Sequence, residues 1–275
     1  MSNPSDKVSM LPRFHGETGQ RFFTVQFRGT GTPQGHIVFV PPFVEEMNRC
    51  RSLVAQQARA FAAQGYLCTL VDFFGTGDCD GELVDATLAH WRDNLDAAID
   101  VLQEEHELPL VLWGLRLGAL IAMDYASKSD RAVRDIVLWQ PVTSGKLYVN
   151  QVLRQRVASL MVRDLPPETT KEIRQRLADG EQVEIAGYTL AGDLVADIES
   201  IDTASFANLC SGTVHWLAHV VEEGKDIGIP SRKLVDQLAG TNSVSVQTFM
   251  DPPIWQIHER DEAPRLLALT RELLP

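Results

Sequence analysis

Apolar and polar positions along the chain follow two alternating periods. Short apolar runs of strand length occur at residues 21–29 (RFFTVQFRG), 35–40 (GHIVFV), 66–71 (YLCTLV), 110–113 (LVLW) and 135–139 (DIVLW). Their β-branched and aromatic content, bounded by Gly, Pro and Asp, predicts strands. Between them, residues 47–64 carry Leu53, Val54, Ala58, Phe61 and Ala62 at helical spacing, and residues 88–105 read as an amphipathic helix. Pro41 and Pro42 end one strand because proline has no N–H for the ladder, and Gly65 closes the first helix. The residues ahead of 21 read as a polar leader. Strands alternating with helices of this length predict a mostly parallel sheet covered on both faces.

The alternation breaks between 146 and 208. Helical patterns appear there at 149–160 and 168–179, with an apolar turn at Ala186-Gly187-Tyr188, but without a clean strand–helix unit. Regular order returns with a strand at 212–219, a helix near 231–238, a strand at 243–250 and a last helix at 263–274. The expected organisation is one α/β core formed by 1–145 and 209–275, with 146–208 inserted as a cap. There is no internal repeat or low-complexity segment.

Residues 110–126 (LVLWGLRLGALIAMDYA) are the centre of the pattern, a buried strand running through a tight turn into a helix. Gly114 and Gly118 stand two residues either side of Arg116. That spacing is the nucleophile elbow of α/β-hydrolases, where glycines leave room for close backbone packing and the middle residue is usually the attacking serine. It predicts an α/β-hydrolase fold, with a doubly wound sheet of about eight strands and a helical cap over the carboxyl edge. Arginine stays protonated and has no lone pair with which to attack. The scaffold is therefore that of a hydrolase, and its usual nucleophile is absent.

The remaining members of a Ser-His-acid triad are equally thin. His258 is the one histidine in the segment after the last strand, and Glu222, Glu223 and Asp226 are the acids in the loop before it. Cys79, in the loop DFFGTGDCDG (72–81), could attack as a thiolate, but the charges of Asp78 and Asp80 oppose ionisation. Thr143 and Ser144 suit capping of the following helix. The loop PPFVEEMN (41–48), where an oxyanion-hole N–H is expected, carries Glu45 and Glu46 instead. A guanidinium at the mouth of the sheet needs an anion, so Arg116 is expected either to pair with Glu45 or Glu46 or to take a substrate carboxylate or phosphate in place of that glutamate. Leu115, Leu117, Phe43, Gln140 and Trp255 complete the candidate binding set.

Composition narrows the partners. Of 275 residues, 44% are hydrophobic and 23% charged, and 37 acidic against 25 basic residues leave a net charge of −12. That balance disfavours nucleic acid and anionic membrane. No apolar run reaches membrane-spanning length, and the first residues lack an apolar signal core, so a cytoplasmic location is expected. Cys50, Cys68, Cys79 and Cys210 are spaced too widely for a zinc pattern and are expected to be reduced. Neither metal nor cofactor is expected.

Five stretches together are specific: PPFVEEMN followed by Arg49 and Arg51, DFFGTGDCDG, WGLRLGA (113–119), WQPVTSG (139–145) and Ala186-Gly187-Tyr188. They resemble the exosortase A system-associated hydrolase family, type 2, over most of the chain. The resemblance implies a bacterial cytoplasmic α/β-hydrolase-fold protein encoded with exopolysaccharide and PEP-CTERM sorting genes. It also implies that arginine at the elbow is a family feature, while Cys79 replaces a commoner serine. Three functions fit: a protein binding an anionic metabolite or partner, an ester or thioester hydrolase or acyltransferase with a displaced nucleophile, or an interaction protein using the cap.

Overall fold

The computed structural model describes residues 8–256 and 262–274. Its strands are β1 (Ser9–His15), β2 (Phe22–Arg28), β3 (Gly35–Val40), β4 (Tyr66–Asp72), β5 (Leu110–Leu115), β6 (Val133–Trp139), β7 (Val183–Ile185), β8 (Tyr188–Leu190), β9 (Thr213–His219) and β10 (Ser243–Phe249). Its helices are α1 (Glu45–Ala63), α2 (Leu88–Glu105), α3 (Leu117–Lys128), α4 (Gly145–Val162), α5 (Thr170–Ala178), α6 (Gly192–Glu199), α7 (Ile229–Leu238) and α8 (Pro264–Arg271). The main sheet has eight strands in the order β1-β2-β4-β3-β5-β6-β9-β10. From β4 to β10 neighbours run parallel, while β1 and β2 pair antiparallel at one edge.

Two-residue periodicity sorts the side chains. In β5, Leu110 and Leu112 join the core shared with α2, α3 and α7, while Val111, Trp113 and Leu115 join the core under α1 and α8. Helix α3 is buried along its whole run from Leu117 to Ala126, which explains its nearly all-apolar sequence; its one acid, Asp124, is paired with Arg92 and Lys128.

The polar leader is corrected in part: residues 9–15 form β1. Its side chains are mostly exposed on an edge strand, so no alternating burial marks it in the sequence. Helix α4 starts at Gly145, earlier than its apolar spacing suggests, with Ser144 accepting a hydrogen bond from Leu147 N–H. The stretch between β6 and β9 holds α4, α5, α6 and the β7–β8 hairpin, so it is not wholly helical. Apolar side chains of α4, α5, β7 and α6 continue the core of the α2–α3 face.

Candidate functional site

The β5–α3 turn sets the site. Arg116 has φ 55° and ψ −116°, a conformation that costs a non-glycine residue about 1–3 kcal/mol. Its N–H donates to Trp139 O at 3.0 Å, and its carbonyl accepts from Ala119 and Val142 N–H, which ties the turn to the end of β6. A Cβ on Gly118 would lie 2.1 Å from Val40 O, and one on Gly114 would lie 2.5 Å from Ala119 Cα. Both glycines are therefore required by close backbone approach. Val44 before α1 (φ 48°) and Gln140 after β6 (φ 41°) are also strained, so three neighbouring strand ends carry positive φ at the carboxyl edge.

The Arg116 side chain is closed by its surroundings. Its Nε donates to Glu46 Oε1 at 3.2 Å and an Nη to Gln151 Oε1 at 3.3 Å. Its Cζ lies 5.7 Å from the Tyr148 ring centroid and 5.5 Å from that of Trp255. The other oxygen of Glu46 accepts from Tyr148 OH at 2.9 Å. Both members of the pair are only 11% exposed in their side chains. Burial pushes the Glu46 carboxyl above its ordinary range, with Arg116 and then Tyr148 pulling it back. Burial, followed by the Glu46 charge, drives the Tyr148 hydroxyl well up.

The other predicted residues separate into distinct roles. Glu45 pairs with Arg49 at 3.5 Å and accepts from Tyr188 OH at 3.3 Å, so Glu46 alone meets Arg116. Phe43 packs its ring between Trp91 and Tyr148. Leu115 is turned by strand alternation into the α1–α8 core, where it is fully buried. Gln140 accepts from His219 N–H at 2.6 Å, so its side chain ties β6 to β9. Trp255 is buried, with its ring also set against His219. Asp226 forms an ion pair with Arg232 in an exposed position ahead of α7, held by local partners. Its acid candidates Glu222 and Glu223 lie in the same exposed loop. His258 lies outside the described residues.

Beside the elbow is a cavity of about 340 Å³. Its walls come from the loop after β3, the glycine-rich loop after β4, Trp91 of α2, Leu117 of α3 and Tyr188 of β8. Cys79 also lines it. The thiol donates to Asp72 O at 2.8 Å and accepts from Phe23 N–H at 3.2 Å. It is pushed up to about 12, chiefly by burial; the aspartates expected to dominate add less. Arg116, Glu45 and Glu46 stand outside this lining. Tyr148, Gln151, Trp91 and Tyr188 were not foreseen. Tyr188 stands in the Ala186-Gly187-Tyr188 motif, but no local pattern records its contact or those of Tyr148 and Gln151, since the three meet Glu45, Glu46 and Arg116 from at least 35 positions away.

An eight-stranded sheet in this order, with a strained turn between two obligatory glycines at the carboxyl edge of β5, defines an α/β-hydrolase. Residues 31–227 match the serine aminopeptidase, S33, family, and the chain belongs to it. Among curated relatives, the mitochondrial palmitoyl-protein thioesterase ABHD10 of Bos taurus is 26% identical over 140 residues, covering 51% of this chain and 40% of the relative. The match thus spans less than half of that relative's length. The structure of Est1E from Butyrivibrio proteoclasticus with ferulic acid bound superposes at a TM-score of 0.65 with 15% identity, over 94% of this chain and 95% of the other. Mouse α/β-hydrolase domain-containing protein 10 superposes at 0.58 with 16% identity, over 96% and 98%. At these identities the two structures establish the fold alone. Among the described residues, no helix is long and apolar enough to cross a membrane.

Proposed function

We propose that this family member binds a small molecule beside the elbow and performs no acyl transfer at the elbow itself. The observation that carries this reading is Arg116, which stands at the nucleophile position with its guanidinium closed by Glu46 and Gln151. An anionic metabolite or partner would reach that cation by taking the place of Glu46, while the adjoining cavity offers open volume to an acyl or aryl group. Residues 146–208 act as the cap on a core of 1–145 and 209–275. Contacts from Tyr148, Gln151 and Tyr188 to the elbow side support that division. The five motif stretches support membership of the exosortase A system-associated type 2 group, and hence a role in the bacterial cytoplasm at an exopolysaccharide and PEP-CTERM locus.

A second reading is ester or thioester hydrolysis with a displaced nucleophile. It is favoured by Cys79 lining the cavity and by the named thioesterase relative. Its raised pKa opposes it. Fluorophosphonate labelling of the folded protein, alongside turnover of acyl esters and palmitoyl thioesters, separates the two. We expect neither labelling nor turnover. Labelling of one serine, or thioester turnover abolished by Cys79→Ala, would establish the second reading.

A further inference from the structure

We infer that the outer face of α4 is a docking surface for an acidic amphipathic helix of a partner protein. No residue of α4 lines the cavity beside the elbow, so this surface is independent of the ligand-binding reading above.

Helix α4 is apolar on two sides. Its inner side buries Tyr148, Val149, Val152 and Leu153 in the core of the α2–α3 face. On the opposite side Leu147, Arg154, Ala158, Met161 and Val162 recur at helical spacing, and all are exposed. Leu147 is 57%, Met161 72% and Val162 87% exposed, and Leu165 follows just past the helix at 41%. These are four of the nine large apolar side chains exposed among the described residues, gathered on one element rather than scattered. A surface helix ordinarily turns a polar stripe to water; the outer stripe of α4 has the composition of a packed one.

Charge selects the occupant. The chain carries a net charge of −12, yet α4 contains no acid. Arg156, turned away from the outer stripe, is paired with Glu168. Lys146, Arg154 and Arg163 are exposed and have no ion pair among the described residues. An apolar stripe with unpaired cations at its middle and both ends fits a helix that carries its own apolar stripe between acids. With 18 residues, α4 offers a face about 27 Å long, or about five helical turns.

Other occupants fit worse. A second copy packed about a two-fold axis would set Arg154, midway along the stripe, against its own counterpart. A lipid surface favours aromatic side chains, which this stripe lacks, and the net charge opposes anionic lipid. Gln151 lies on the same exposed side, and its Oε1 accepts from Arg116 at 3.3 Å, so a helix docked there borders the elbow.

The probe is a synthetic, terminally blocked peptide of about twenty residues, long enough to form a helix on contact. It carries leucines at three- and four-residue steps and glutamates beside them. It is titrated into the full chain, and methionine, leucine and valine methyl signals are followed by NMR. Because the chain is net acidic, non-specific attraction works against this probe. Binding should be in the micromolar range, with shifts centred on Leu147, Met161 and Val162. Replacing the peptide's glutamates by glutamines should weaken it at least about tenfold. Arg154→Glu should weaken it about fivefold. Met161→Asp combined with Val162→Asp should abolish it, with the thermal midpoint unchanged because both side chains are exposed.

The inference is overturned if the peptide does not bind, if the glutamine peptide binds as tightly, or if the shifts lie elsewhere. Self-association in sedimentation that the double substitution abolishes would also overturn it and assign the face to a second copy. Binding to phosphatidylcholine–phosphatidylglycerol vesicles that the same substitution abolishes would assign it to lipid instead.

Discussion

Val44, ahead of α1, and Arg116, ahead of α3, hold nearly the same dihedral angles: φ 48° and ψ −128° against φ 55° and ψ −116°. Both turns follow a buried parallel strand, and neither has a side-chain cap. Val44 is apolar and lines the cavity, while Arg116 is held in a buried ion pair outside it. The two turns therefore share a backbone imposed by the strand-to-helix crossing and divide the chemistry between them. One wall is made neutral and the other is charged but closed. A hydrolase elbow uses that backbone to expose a nucleophile; here it exposes a cation to a neighbouring carboxylate.

The largest expected break of this comparison is Arg116→Ser. It strands Glu46 in a site where both side chains are 11% exposed, and should cost about 3–5 kcal/mol, trimmed by that residual exposure and by protonation of Glu46. Urea unfolding measures it; wild-type stability together with robust ester hydrolysis would mean that the elbow is a latent triad. Tyr148→Phe removes one of the hydrogen bonds to the same carboxylate and should cost about 1.5–3 kcal/mol by the same measurement.

Gly118 couples the two turns, because its missing Cβ would strike Val40 O and Pro41 O at the start of the other loop. Gly118→Ala should cost about 1–3 kcal/mol as the loops separate. A thermal midpoint unchanged from wild type would show that the turns are not in rigid contact.

A pH series sharpens the charged half. Burial raises the Glu46 carboxyl, so the folded protein binds that proton more tightly than the unfolded chain. The contribution is fully present below the ordinary carboxyl value of 4.5 and is lost as pH rises through the raised folded value. Relative to Glu46→Gln, wild-type stability should fall across that window by at most about 1.4 kcal/mol per pH unit. A difference that rises with pH would show that Arg116 outweighs burial. The smallest effect belongs to Val44→Gly. Relief of about 1–3 kcal/mol of strain offsets a similar loss of burial, leaving a net change within about 1 kcal/mol in the same melts.

Local pattern carried much of the fold. Two-residue and helical periods were enough for the strand–helix alternation, and helix α2 runs over Leu88–Glu105 as its spacing predicts. The Gly114–Arg116–Gly118 turn was legible for the same reason, since steric demands on a tight turn act between neighbours. Edge strand β1 was not legible, because exposure on both faces removes the alternation that marks a strand.

By itself the sequence determined that an arginine stands at the elbow of a hydrolase scaffold and that two glutamates lie on the facing loop. Only tertiary structure decided between those glutamates. Helical rotation turns Glu46 under Tyr148 and Arg116, while Glu45 is drawn to Arg49 and Tyr188. It also decided that Thr76, Cys79 and Trp91 beside the cavity turn their polar atoms to backbone carbonyls. Hydrogen-bond direction depends on packing between elements distant in sequence, and no residue pattern records it.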